Sequence, residues 1–359
     1  MNQWIDDLHG LVGNDECCSI VTVAGVRGSA PREIGAKMIV AARETIGTIG
    51  GGQLEHQCTQ IAVEQMRNTG AYGGQRLQRR FPLGTNCGQC CGGVVDILFE
   101  RVASSSIAWL KELKRLHDER RPVVVVTPLM EATGKYLVTG DRCIHSADEV
   151  SCPGDVIATA RQIIIDNGGA QLLDNFLLEP ILQTNFHIAV FGAGHVGAAT
   201  VEVLSKLDCR IRWIDGRRNI FPAKLPENVT TVESANPARE VVAMPPGTHY
   251  LVLTHSHPLD YEICEQVLQR GDFAYCGLIG SVSKRRRFER AMRKQGMSGF
   301  LLKRLTCPIG VSGIASKKPA DIAVAVAAEL LRVRDAAAVA KQDNDRAPKE
   351  ANDKNVHVL

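Results

Sequence analysis

The stretch that most constrains the fold runs from Phe186 to Asp215. Phe186-His187-Ile188-Ala189-Val190-Phe191 is an apolar run of the buried-strand kind. It enters Gly192-Ala193-Gly194-His195-Val196-Gly197, a helical pattern follows to about Leu207, and the run 210–214 reads as a second strand ending at Asp215. A lone Gly-x-Gly-x-x-Gly says little. Here a strand, a helix and an acid 18 residues beyond the last glycine accompany it, which together specify a βαβ unit with parallel strands. In such a unit Gly192, Gly194 and Gly197 let a pyrophosphate approach the helix N-terminus, and Asp215 can hold a ribose hydroxyl. The competing reading is a fold kept for packing or docking that binds no dinucleotide.

The alternation continues downstream. Strands are expected at 250–254 and 273–279, and helices at 259–269, 283–295 and 318–334. Residues 185–335 are therefore read as a Rossmann-like, doubly wound parallel sheet. Residues 336–359 are polar, lack aromatics and read as a disordered tail. His195 leaves the glycine loop, as a ligand contact or a simple helix start. His255, His257 and Asp260 follow a strand, but their spacing misses the usual metal-hydrolase pattern, so pocket contacts are favoured over a metal. The basic run 284–287, with Arg290 and Arg293, is first of all a solvated helix face. Phosphate contact and docking on an acidic partner are the functional options.

The first half is built differently. Thr85-Asn86-Cys87-Gly88-Gln89-Cys90-Cys91-Gly92-Gly93 places three cysteines and three glycines in nine residues, directly before a strand that starts at Val94. Glycine lets backbone come close to a ligand, and cysteine offers soft sulfur to a metal or redox partner. Strands are expected at 18–24, 37–41 and 45–49, with a helix from Gln53 to Arg67. Gly50-Gly51-Gly52 feeds that helix, so its amides and the helix dipole make an anion site. Glu55 lies in the first turn and would oppose an anion; it suits the N–H donors of a neutral heterocycle or stabilises the helix end. Arg27 and Arg32 flank a Gly/Ser/Pro turn and can take an anion with planar donor forks, or remain solvated. Structural zinc at Cys87, Cys90 and Cys91 lacks a second half-site, and a Cys87/Cys90 redox pair lacks the helix start such sites use. A helix at 107–119, a strand pair at 123–127 and 135–138, a helix at 155–166 and a strand at 176–179 complete this half.

At 359 residues the chain suits more than one core. With a net charge of +3, nothing global argues for nucleic acid as a partner, and none is expected. The acidic start, without an apolar core, excludes an ordinary signal peptide, and no run is long enough to span a bilayer. A reducing cytoplasm is the expected setting, with the twelve cysteines as thiols, ligands or reactive groups.

Taken together, these motifs resemble those of the xanthine dehydrogenase accessory protein (XdhC/CoxI) family. The matching residues are Gly28-Ser29-Ala30-Pro31-Arg32, the run 47–55, Gln89-Cys90-Cys91-Gly92-Gly93, Gly192 to Gly197, Gly280-Ser281 with the basic run after it, and the run 320–324. Cys87 departs from the pattern, which usually has an apolar residue there. The resemblance implies an α/β fold: an N-terminal mixed α/β cofactor-binding domain (1–105), an intervening α/β segment (106–184) and the Rossmann-like sheet. It implies a chaperone without turnover of its own, which binds molybdenum cofactor as molybdopterin or its cytidine dinucleotide. The cofactor would be inserted into an apo molybdenum hydroxylase of the xanthine dehydrogenase type, with a cysteine desulfurase as a further partner and a homodimer as the assembly. Arg27, Arg32 and Gly50 to Gly52 would serve the phosphate, Glu55 or Gln89 the pterin edge, and Cys90 or Cys91 the molybdenum. The rival from another class is an NAD(P)-dependent oxidoreductase resting on Gly192 to Asp215.

Overall fold

The computed structural model describes residues 3–67, 76–86, 92–103, 108–129, 134–145 and 151–346. The chain forms two compact units, Met1–Gln183 and Thr184–Leu359.

The first unit opens with helix α1 (Gln3–Gly13). Its first sheet is built from β1 (Cys18–Arg27), β2 (Lys37–Val40), β3 (Thr45–Gly47), β4 (Arg76–Pro82) and β5 (Val94–Val102), in the spatial order β3-β2-β1-β5-β4, and every pairing is antiparallel. Helix α2 (Gly52–Arg67) and the single turn α3 (Leu83–Asn86) lie in its connections. After α4 (Ala108–Asp118) comes a second antiparallel sheet of β6 (Val123–Pro128), β7 (Tyr136–Val138), β8 (Cys143–His145), β9 (Gln171–Leu173) and β10 (Phe176–Ile181), in the order β8-β7-β6-β10-β9, with α5 (Gly154–Asp166) before β9.

Strand alternation distributes the core. Val95, Ile97 and Phe99 of β5 pack on Leu54, Cys58 and Ala62 of α2. Ile20, Ile39 and Val102 point the other way, onto α1, α4 and Val123, Val125 and Leu137 of the second sheet. The outer face of that sheet, including Val124, Val126 and Tyr136, is covered by Val156, Ala160 and Ile163 of α5. The segment after residue 105 therefore shares a core with the first sheet within a single compact unit.

Charges are buried in this unit. Glu100 accepts from Lys135 Nζ at 2.7 Å and from Arg76 Nε at 3.0 Å, and Lys135 also reaches Thr127 Oγ1 at 2.8 Å. Lys135 lies over the Trp109 ring, while Lys37 pairs with Glu179 and lies over Trp4. Burial pushes the Lys135 ammonium down. Burial also opposes the charge on Glu100, but Lys135 and Arg76 outweigh it and hold that carboxyl below its ordinary range.

The second unit carries β11 (His187–Phe191), β12 (Arg210–Asp215), β13 (Val229–Glu233), β14 (His249–Val252), β15 (Tyr275–Leu278) and β16 (Leu305–Thr306). Their order is β13-β12-β11-β14-β15-β16 and all pairings are parallel, the doubly wound dinucleotide-fold order. Helices α6 (His195–Leu204), α7 (His257–Arg270), α8 (Val282–Lys294), α9 (Gly299–Lys303) and α10 (Pro319–Arg346) complete it. One core holds α7 and α8 (Ile263, Val267, Phe288), and the other holds α6 and α10 (Val201, Leu204, Val326, Leu330). Helix α10 runs on past Arg334 into the stretch expected to be a tail, where the alanines of 336–340 are strong helix formers. Residues 347–359 lie outside the described residues. Among the described residues no helix is long and apolar enough to cross a membrane.

His249 gives this unit a pH dependence. It is 5% exposed, edge-on to Phe186 at 4.9 Å and stacked on Tyr275 at 6.4 Å. Burial, with positive charge from Arg334 and His187 added, pushes it down to about 4 from 6.5. The folded state keeps the ring neutral while the unfolded chain takes up a proton below about pH 6.5, so stability falls from there toward pH 4. The full effect is about 3 kcal/mol. Thermal melts of His249→Phe between pH 7 and 4 are expected to lose most of this slope; an unchanged slope would place it on other groups.

Candidate functional site

One end of the first sheet gathers the N-terminal motifs. Because its strands are antiparallel, β1, β3 and β4 end where β2 and β5 begin. The connections 28–36 and 48–51 and the described ends of the third, 83–86 and 92–93, therefore emerge together, although they are separated in sequence.

Glycine contacts fix the connections against one another. A Cβ at Gly93 would stand 2.2 Å from the Ser29 carbonyl oxygen and 2.8 Å from that of Arg27, and one at Gly50 would stand 2.5 Å from Pro31 Cγ. The turn after β1 is thus wedged between the Gly50 turn and the end of the Cys/Gly loop, with backbone closer than any side chain allows. The Leu83 amide donates to the Gly93 carbonyl at 2.9 Å and anchors that loop end again. Gln89, Cys90 and Cys91, with Cys87, lie outside the described residues.

The Gly50-Gly51-Gly52 turn has three consecutive positive φ values (125°, 75° and 65°). Two of its amides, those of Gly50 and Gly51, expected to meet a phosphate, are occupied within the protein. Glu55 Oε2 accepts from the amides of Ile49 (3.2 Å) and Gly51 (2.9 Å) and from Thr48 Oγ1 (2.7 Å), and the Gly50 amide donates to Thr48 Oγ1 at 3.1 Å. Burial opposes the charge on Glu55, but these donors outweigh it and hold its carboxyl below the ordinary range. An external anion would have to displace Glu55. Arg32 is engaged too, donating to the Thr48 carbonyl at 3.3 Å and to Glu33. Both residues therefore brace the turn.

Arg27 is different. Its side chain is 68% exposed, with Nη2 4.0 Å from Asp96 Oδ2. Asp96 is the partner that sequence reasoning missed, along with Arg80, which grips it through Nε at 2.7 Å and Nη2 at 3.2 Å. The signal was present: an aspartate within Val94-Val95-Asp96-Ile97-Leu98-Phe99 has to face a specific partner. Strand β4 went unread because Arg76-Leu77-Gln78-Arg79-Arg80 looks like solvated loop. It is an edge strand, where charged side chains are tolerated.

In the second unit two of the glycines sit at close backbone approaches. A Cβ at Gly197 would lie 2.0 Å from the Gly192 carbonyl oxygen, and one at Gly192 2.6 Å from that of Leu253. Gly194 caps α6 and faces open space. Asp215, expected to hold a ribose, binds inward. Its Oδ2 accepts from the Ala193 amide at 2.6 Å, Arg217 grips both oxygens at 2.9 Å, and the Arg217 amide adds a fourth donor. Burial opposes the charge, yet these donors bring the carboxyl down to about 2. His195 and His255 are exposed; His257 meets Arg287 at 2.7 Å. Asp260 is fully buried, with Lys284 at 2.5 Å and Thr254 at 2.6 Å, so it belongs to the core and not to a surface metal site. Among the described residues no group of three or more His, Cys, Asp or Glu is placed to hold a metal ion.

Comparisons with known proteins follow these two units. A family model described as "XdhC and CoxI family" matches residues 11–78, and one described as "XdhC Rossmann domain" matches residues 188–330. A crystal structure described as a xanthine dehydrogenase from Bacillus halodurans shares the fold, with a TM-score of 0.72 at 21% identity over 92% of this chain and 96% of that chain. The Escherichia coli (strain K12) protein called "Uncharacterized protein YqeB" is 29% identical over 150 residues, 41% of this chain and 27% of the relative's own length. Through both halves of its architecture, the chain belongs to the XdhC and CoxI family.

Proposed function

We propose that this protein binds molybdenum cofactor, shields it, and delivers it to an apo molybdenum hydroxylase of the xanthine dehydrogenase type, without turnover of its own. The observation that carries this reading is the convergence of the 28–36 and 48–51 connections with residues 83–86 and 92–93 at one end of the first sheet, locked by the Gly93–Ser29 and Gly50–Pro31 approaches. A close-packed junction of turns with the Arg27 guanidinium open to solvent at its edge suits a ligand with an anionic end. Cys90 and Cys91, which lie outside the described residues, are the thiols assigned to the metal end in this reading. Cytoplasmic location, a homodimer and sulfur supply by a cysteine desulfurase belong to the same reading.

The family membership and the loop geometry support this assignment over hydride transfer. Asp215 directs both oxygens at Ala193 and Arg217, so the ribose contact of a nicotinamide enzyme is already occupied. The test is transfer: protein from a cofactor-producing host is mixed with purified apo-hydroxylase and the activity gained is measured. Transfer should occur and should fall at least about tenfold in Cys90→Ala or Cys91→Ala, the loss of one strong ligand contact. Absence of transfer, combined with NAD(P) turnover that depends on Gly194, would establish the oxidoreductase instead.

A further inference from the structure

Strands β4 and β5 carry two ion pairs on the same face, four residues apart: Arg76 with Glu100 and Arg80 with Asp96. Each carboxylate has a second cation. For Glu100 it is Lys135, and the cluster is sealed, with side-chain exposures of 9% for Arg76, 5% for Glu100 and 5% for Lys135. For Asp96 it is Arg27, and the cluster is open: Asp96 is 11% exposed, but Arg80 is 55% and Arg27 68%. The inner cluster is a closed structural element, whereas the outer one presents guanidinium edges to solvent at the end of the sheet.

Three features mark the outer cluster as built. Gly25 stands opposite Asp96 across a β-bulge, and a Cβ there would come within 3.3 Å of Asp96 Oδ2, so the bare position makes room for the carboxylate. Arg27 lies two residues further along β1, on the same side as Gly25, and so on the side of Asp96. Two arginines on one carboxylate leave a net positive charge, while the neighbouring Gly50 turn is already filled by Glu55.

We propose that Arg27 and Arg80, positioned by Asp96, form a subsite for a phosphate monoester, the anionic end of the pterin ligand. This rests on the function proposed above. Planar guanidinium groups match phosphate oxygens in pairs, and Asp96 fixes the fork of Arg80 before the ligand arrives.

The test is a fluorescence titration of the full chain with the oxidised, phosphate-bearing pterin released from the cofactor, and with the same pterin after phosphatase treatment. The parent protein is expected to bind the phosphorylated form at least about tenfold more tightly. Arg27→Gln and Arg80→Gln should each erase most of that preference, leave affinity for the dephosphorylated form unchanged, and melt within a few degrees of the parent. Arg80→Lys should keep part of the preference. Equal binding of the two forms by the parent, or an undiminished preference in both glutamine variants, overturns the subsite while the cofactor reading stands. Binding of neither form by the parent overturns both. A preference lost in Arg32→Gln instead would move the phosphate to the Gly50 side and overturn the assignment to Arg27 and Arg80.

Discussion

Replacing Glu100 with alanine is expected to destabilise the first unit by about 3–5 kcal/mol. The substitution leaves Lys135 and Arg76 facing each other inside the protein, with exposures of 5% and 9%, and no carboxylate between them. The loss comes from removing the one carboxylate that both buried cations share more than from the ion pairs themselves, because desolvation consumes most of the attraction in a buried pair. Replacing all three residues together (Arg76→Met, Glu100→Leu, Lys135→Met) should recover most of the stability. Urea denaturation of both variants checks this; a single variant within 1 kcal/mol of the parent would contradict it. The pH dependence has a definite sign. Glu100 sits below its ordinary range when folded, so its contribution is complete above the unfolded value of about 4.3 and is lost as pH falls from there through its lower folded value.

The second large effect concerns the site. Gly93→Ala puts a methyl group 2.2 Å from the Ser29 carbonyl oxygen, and both partners are backbone. The turn after β1 has to move away from the end of the Cys/Gly loop, at a cost of about 1–3 kcal/mol. Because Pro31 in the same turn packs on Gly50, the displacement also reaches the Gly50 turn. Cofactor retention should therefore drop out of proportion to the loss of stability. Gly92→Ala is the control, since a Cβ there meets nothing within 4 Å among the described residues. Equal cofactor content in the two variants would show that the wedge does not shape the site.

The second unit was the more legible in sequence. A parallel sheet buried on both faces writes itself as continuous apolar runs, and the glycine loop after β11 is held by close backbone approaches that only glycine permits. The first unit was legible in its apolar strands and in helix α2, but not in β4. An edge strand carrying three arginines has no hydrophobic alternation, and its identity depends on Asp96 and Glu100 across the sheet. The same non-locality governed the site. Spacing placed Arg27, Arg32 and Gly50 to Gly52 in anion-competent turns with Glu55 beside them, and spacing cannot tell which donors the protein uses on itself. Glu55 folding back onto Gly51, and Asp215 onto Ala193, are visible only once the backbone is closed. Helix α10 ran longer than expected because alanine content carries a helix where polarity suggested none.

Cofactor binding by this sheet end is tested most directly by the amount of molybdenum and of oxidised pterin, per mole of protein, in the Gly92→Ala and Gly93→Ala variants and the parent, all purified from one cofactor-producing host. Both molybdenum and pterin are expected in the parent and in Gly92→Ala, and little of either in Gly93→Ala. A folded parent that carries neither would contradict that binding.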